Sequence, residues 1–365
     1  MKKEENYSAV RRKKYIEKLR LVLNDLPPFS EYYFRATESL NSPLTRYGYA
    51  IDIRTFFLFC VKELSAFSCY SVREITIEVL NKLTSRDIEQ YLEYLSYYSD
   101  ADDTDRENSN RAKARKLSAL RAFLKYYYKQ GMIDSNPSTL VDTPKIHEKP
   151  IVRLEANEVA NLLDITEEGS GLSKRQKIYH DKTAIRDTAI ISLFLGTGIR
   201  ISELVGINKR DIDFSGNSFV VTRKGGNLER LSFSQEVADA LKEYKEYRET
   251  IIPVDGHEDA FFLSLQKKRI TARAVEKLVE KYASLATPLK PITPHKLRST
   301  YGTMLYEESG DIYLVADALG HKDVNTTRKH YAALSEERRR TASKYIHLRD
   351  DQVEKGSAPN QETDS

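Results

Sequence analysis

Residues 143–150 read Thr-Pro-Lys-Ile-His-Glu-Lys-Pro, a charged run bracketed by prolines. Neither the inside of a helix nor a central strand accommodates such a run, so it punctuates the chain. It leaves two pieces of ordinary domain size, and their hydrophobic periods differ. Before it the pattern is helical throughout. After it, helical stretches flank a short alternating segment. The expected fold is therefore mainly α with a small antiparallel sheet confined to the second half. The expected organisation is a basic N-terminal extension at 1–25, a helical domain at 26–141 and a linker at 142–150. A second domain would follow at 151–349, with a disordered tail at 350–365, where apolar residues are sparse.

The helices of the first half can be placed from their caps and stripes. Ser42-Pro43 opens one that carries Tyr47, Ile51, Phe56, Leu58 and Phe59; Thr84 or Ser85 opens another with Ile88, Tyr91, Leu92 and Leu95. The acidic stretch 99–109 reads as a loop. The helix after it carries Leu117, Leu120, Phe123, Leu124 and Tyr127 on one face, and Gly131 stops it. In the second half, Leu154–Leu163 is expected to be helical. A polar run at 167–182 follows, then a strongly apolar helix up to Gly196-Thr197-Gly198. Residues 211–234 alternate around Gly216-Asn217 and Gly225-Gly226-Asn227 and read as the sheet. Helices are expected again at 236–247, 271–286 and from His295 onward.

Composition excludes several classes. No run of about 18 uncharged apolar residues is present, so a spanning helix is not expected. The first twenty residues are basic and lack an apolar stretch, unlike a secretory signal. Cys60 and Cys69 fit neither a zinc site nor a disulfide framework, which suits a reducing compartment and a cytoplasmic location. The net charge of +4 from 58 basic and 54 acidic residues says less than its distribution. Basic residues cluster in 1–20 and again along one helix, at Arg111, Lys113, Arg115, Lys116, Arg121 and Lys125. Such clusters can track nucleic-acid phosphates, although basic helix faces are more often simply solvated.

Five features in the second half carry chemistry together. Arg200 follows the Gly-Thr-Gly break; Lys224 sits at a glycine-flanked hairpin tip; His295 and Arg298 stand three apart on a helix; His321 lies in Leu-Gly-His; and Tyr331 follows ten residues later. Each alone means little, since HxxR is common and the chain has 23 tyrosines. As a set they suit a phosphate: two guanidiniums to hold its oxygens, a lysine for a leaving oxygen, histidines to move protons and a tyrosine hydroxyl as nucleophile.

That ordered set, in GTGIRISEL, RKGGNLER, TPHKLRSTYGT and LGHKDVNTTRKHY, with SPLTRYGYAIDIRTF and KARKLSALRAFLKYY upstream, resembles the tyrosine recombinase (phage integrase) family over about residues 40–340. Within it the chain looks most like Xer chromosome-dimer resolvases of the single-recombinase XerS type. The resemblance implies a helical, SAM-like core-binding domain at 26–141 and a catalytic domain at 151–349, closing on duplex DNA. It implies that Arg200, Lys224, His295, Arg298 and His321 activate a phosphodiester and that Tyr331 attacks it. Glu203 would support the site, and Arg111, Lys113, Arg115, Lys116 and Arg121 would contact DNA. It implies no cofactor and no metal; the partners would be a dif-like site, three further copies in a tetramer and an FtsK-type translocase, with no membrane. Two departures stand out: Ser299 where many relatives carry a second histidine, and KGGN in place of the commoner KGN beside Lys224. The alternatives are a mobile-element integrase, a type IB topoisomerase and a non-catalytic architectural DNA-binding protein. Few residues precede Ser42 for an integrase's arm-binding domain, the LGHKDVNTT context speaks against the topoisomerase, and competent residues at every catalytic position speak against the third.

Overall fold

A computed structural model describes residues 7–99, 104–146, 152–223, 226–320 and Val324. The chain divides into two compact units, Met1–Lys149 and Pro150–Ser365. The expected tail at 350–365 lies outside the described residues. The expectation of a mainly helical chain with a small antiparallel sheet holds.

The first unit contains α1 (Tyr7–Leu23), α2 (Ser30–Ala36), α3 (Pro43–Glu63), α4 (Ile77–Leu80), α5 (Ser85–Tyr94) and α6 (Asn110–Lys129). Local chemistry sets these boundaries. Ser42 accepts the Thr45 amide ahead of Pro43, Thr84 and Asp87 form a reciprocal capping box, and Ser109 caps α6. The acidic stretch read as a loop contains a short antiparallel ladder, β1 (Tyr98–Ser99) with β2 (Asp105–Arg106). The core is aromatic: Phe29, Phe57, Phe123 and Tyr127 meet at centroid distances of 4.9–6.3 Å. The buried Tyr127 hydroxyl donates to the Phe29 carbonyl at 2.8 Å. Helix α1 packs on α3 and buries Leu19 and Val22, so most of the segment expected as an extension is part of this core.

The second unit contains α7 (Ala156–Glu168), α8 (Lys174–His180), α9 (Ala184–Thr197), α10 (Ile201–Leu204), β3 (Ile212–Asp213), β4 (Ser218–Thr222), β5 (Leu228–Ser232), α11 (Gln235–Glu249), α12 (Ala272–Ala286), α13 (Pro294–Ser309) and α14 (Ile312–Ala318). Helix α9 is buried almost all round, as its apolar sequence requires, and packs against α7, α11 and α13. The sheet is antiparallel in the order β3-β4-β5, with Thr222 opposite Leu228 at the last rung before the hairpin tip.

The polar run at 167–182 contains a helix. Ser173 and Gln176 cap α8, and His180 at its end is buried. Its Nδ1 lies 3.0 Å from the Tyr282 hydroxyl, which donates to Asp187 at 3.0 Å. Asp187 is also held by Thr183 and Arg186, so the run is anchored to α9 and α12 through a satisfied buried network.

Candidate active site

The site is built from turns that helix ends force on the chain. Helix α9 stops at Gly198, whose φ of +58° is left-handed, and a Cβ there would lie 2.4 Å from the Tyr301 ring. The chain then enters α10 with Arg200 at its N-cap. Glu203, almost wholly buried, accepts from the Arg200 backbone at 3.0 Å and from its Nη1 at 2.9 Å. One carboxylate thus fixes both ends of Arg200, leaving Nη2 to reach the carbonyls of Leu319 and Gly320 at 3.2 and 3.0 Å.

Helix α13 supplies the second cation. Pro294 starts the helix, His295 stands exposed in the first turn, and Arg298 follows one turn on, buried. Arg298 donates to the carbonyls of Gly198 and Leu319. His295 lines an open cleft of about 520 Å³ that also carries Ile201, the residue after Arg200. Burial pushes the Tyr301 hydroxyl on the same helix above its ordinary value, opposed by the nearby Arg298 charge. Ser299 donates to the His295 carbonyl at 3.1 Å, a helical back-bond.

A third arginine joins them that sequence reasoning did not single out. Arg223, at the end of β4, grips both oxygens of Glu229 at 2.8 and 2.7 Å, donates to the Leu319 carbonyl at 3.2 Å and lies 3.6 Å from Glu203. The available signal was an arginine and a glutamate, Arg223 and Glu229, on either side of the hairpin turn, overshadowed by the neighbouring lysine. Lys224, His321 and Tyr331 lie outside the described residues. The structure therefore brings together Arg200, Glu203 and Arg298 around the Leu319–Gly320 turn. Among the described residues, no group of three or more His, Cys, Asp or Glu is placed to hold a metal ion.

Residues 152–338 match the phage integrase family model. The tyrosine recombinase XerS of Streptococcus agalactiae is 30% identical over 336 residues, covering 86% of this chain and 94% of the relative. The tyrosine recombinase XerC of Psychromonas ingrahamii is 36% identical over 219 residues, covering 60% and 68%. The chain belongs to the phage integrase family. It is a tyrosine recombinase of the Xer type, and so a site-specific DNA recombinase. A crystal structure of the XerH recombinase on a palindromic difH substrate, in a post-cleavage complex, shares the fold at TM-score 0.62 and 20% identity, over 90% of this chain and 89% of that one.

In the first unit of this recombinase, the basic residues of α6 divide by role. Arg111 is exposed. Lys113 donates to Ser96 at 2.7 Å, and Arg121 holds the carbonyls of Ser138 and Val141 together with Thr143. Arg115 forks onto Asp52 from a half-exposed position. Lys116 corrects the expectation of a DNA contact. It is 6% exposed and its ammonium lies 3.2 Å from the wholly buried Asp52, so it neutralises a core carboxylate between α3 and α6. No helix among the described residues is long and apolar enough to cross a membrane.

Proposed function

We propose that this recombinase cleaves and rejoins duplex DNA through Tyr331, in the cytoplasm, at a dif-like site, and resolves chromosome dimers as a tetramer on two sites. The observation that carries the reading is the convergence of Arg200 and Arg298 on the turn that leads directly into His321. Two side chains able to bring guanidiniums to one oxygen are able to clamp the non-bridging oxygens of one phosphate. Glu203 holds Arg200 in its orientation, so the clamp is set before the substrate arrives.

The step balances without a cofactor. The Tyr331 hydroxyl gives up its proton, with His295 assisting, and its oxygen bonds to phosphorus. The bond from phosphorus to the 5′-oxygen breaks, and Lys224 protonates that oxygen. Arg200, Arg298 and His321 hold the charge that builds on the phosphorane. One phosphodiester becomes one 3′-phosphotyrosyl ester and one 5′-hydroxyl, and the reverse attack by another 5′-hydroxyl completes exchange through a Holliday junction. The exposed Arg111 and the half-exposed Arg115 of α6 would add phosphate contacts, with binding that weakens steeply with salt. An FtsK-type translocase would supply the activating partner.

A nicked suicide substrate carrying a chromosome-dimer resolution site, incubated in EDTA, tests the reading. Wild-type protein is expected to form a covalent adduct, and Tyr331→Phe to bind equally well and form none. An adduct surviving in Tyr331→Phe moves the nucleophile elsewhere. Tight binding with no wild-type adduct points to the wrong site, a missing activator or an architectural role.

A further inference from the structure

Arg223 is tied to more of the site than a hairpin residue needs. Its backbone N–H donates to Asn227 at 2.8 Å and its carbonyl accepts from Gly226 at 3.0 Å, closing the base of the β4–β5 loop. Its guanidinium reaches three separate segments: Glu229 on β5, Glu203 at the Arg200 turn, and the carbonyls of Ala318 and Leu319 at the exit of α14. The side chain is only 7% exposed. Gly320, with φ of +57°, lies so close that a Cβ there would sit 2.6 Å from the Arg223 Cζ. The next residue along the chain from Arg223 is Lys224, and the next from Gly320 is His321.

Gly225 and Gly226 follow Lys224, and glycine is the residue type that constrains a backbone least. A guanidinium held by acceptors on three segments supplies the orientation that the glycines do not. It is a planar fork that a lysine ammonium cannot imitate. The longer KGGN turn is thereby fixed at its root.

We propose that Arg223 is a positioning residue for strand cleavage, locking the root of the β4–β5 loop onto the Leu319–Gly320 turn so that Lys224 meets the departing 5′-oxygen. The proposal rests on the reading of Lys224 as the general acid. In that step the bond from phosphorus to the 5′-oxygen breaks, its electron pair stays on oxygen, and the proton comes from the Lys224 ammonium.

A 5′-bridging phosphorothiolate, whose sulfur leaves without a proton, separates this role from simple support of the fold. On the ordinary substrate Arg223→Ala is expected to cleave about 10²-fold more slowly, the size of loss that a misplaced group produces. On the phosphorothiolate it is expected to return to within a few-fold of wild type, as is expected of Lys224→Ala. Arg223→Lys should fall between, and Glu229→Gln, which removes one anchor and keeps the arginine, should show the same selective loss at smaller amplitude. Glu229→Gln carries the test if Arg223→Ala does not fold. Equal slowing on both substrates with Lys224→Ala rescued overturns the positioning role alone. Failure to rescue Lys224→Ala removes the general-acid reading, and the proposal with it. Wild-type rates for Arg223→Ala and Glu229→Gln on the ordinary substrate also overturn it.

Discussion

Arg200 and Arg298, carried by different helices, donate to one and the same acceptor, the carbonyl of Leu319. Replacing either by alanine removes one arm of the proposed clamp. Adduct formation on a nicked substrate is expected to fall on the order of 10³-fold, the scale of an arginine contact in phosphoryl transfer. The two losses differ in stability. Arg298 is buried, and its removal strands the carbonyl of Gly198, at about 1–3 kcal/mol in urea unfolding, while Arg200 and Arg223 still donate to Leu319. Arg200 is one-third exposed, and without it the buried Glu203 still has Arg223 at 3.6 Å, so its substitution is expected to cost less. Cleavage within a few-fold of wild type for both variants would remove the clamp.

The glycine at the end of α9 separates two effects that glycines usually combine. Gly131 (φ +66°) has open space where a Cβ would go, whereas Gly198 faces the Tyr301 ring. Gly131→Ala is expected to lose about 1–2 kcal/mol, the cost of a left-handed non-glycine residue, with cleavage unchanged. Gly198→Ala adds a clash and displaces an acceptor of Arg298, so it should lose more stability and cleave more slowly. Equal losses in thermal unfolding, with cleavage intact in both, would show that Tyr301 yields freely.

Asp52 on α3 holds two cations of α6, the buried Lys116 and the half-exposed Arg115, so removing Asp52 leaves a buried ammonium without its carboxylate. Asp52→Ala is expected to destabilise the protein by about 3–5 kcal/mol. Combining Asp52→Leu with Lys116→Met should recover most of that, because an apolar pair needs no counter-ion. If the double variant is as unstable as Asp52→Ala, the contribution lies in the fork from Arg115. Urea midpoints of the variants decide it.

Local signals in the sequence survived into the structure. The caps at Ser42 and Thr84, the glycine break at 196–198 and the alternating hairpin at 211–234 all depend on neighbours a few residues apart. What the sequence concealed is long-range. Lys116 reads as one of a row of surface cations until Asp52, on another helix, is seen beneath it. Arg223 reads as a turn residue until the α14 exit is folded against it. The run 167–182 looks polar because α8 buries a histidine rather than an aliphatic stripe, although its Ser173–Gln176 capping box was legible. The site shows the same division: the residue types and their order could be read along the chain, and the shared carbonyl could not.

Glu167, near the end of α7, carries a pH-dependent cost. Desolvation, followed by the charges of Asp164, Glu243, Glu168 and Glu236, raises its carboxyl above the ordinary glutamate value. These carboxylates, except Glu168, line one groove between α7 and α11. A folded value above the unfolded one favours the protonated form. That contribution is complete below the ordinary glutamate value and is lost as pH rises through the raised one. At neutral pH the ionised side chain therefore opposes folding, and Glu167→Gln is expected to stabilise the protein. The site is exposed and screened, so the gain should not exceed about 0.5 kcal/mol. It should shrink toward zero as the pH drops below the ordinary carboxylate range, where wild type and variant are both neutral at this position. Urea unfolding at pH 7.5 and pH 4 checks the sign: a gain that grows on acidification would mean that Glu167 is held by a cation rather than crowded by its own kind.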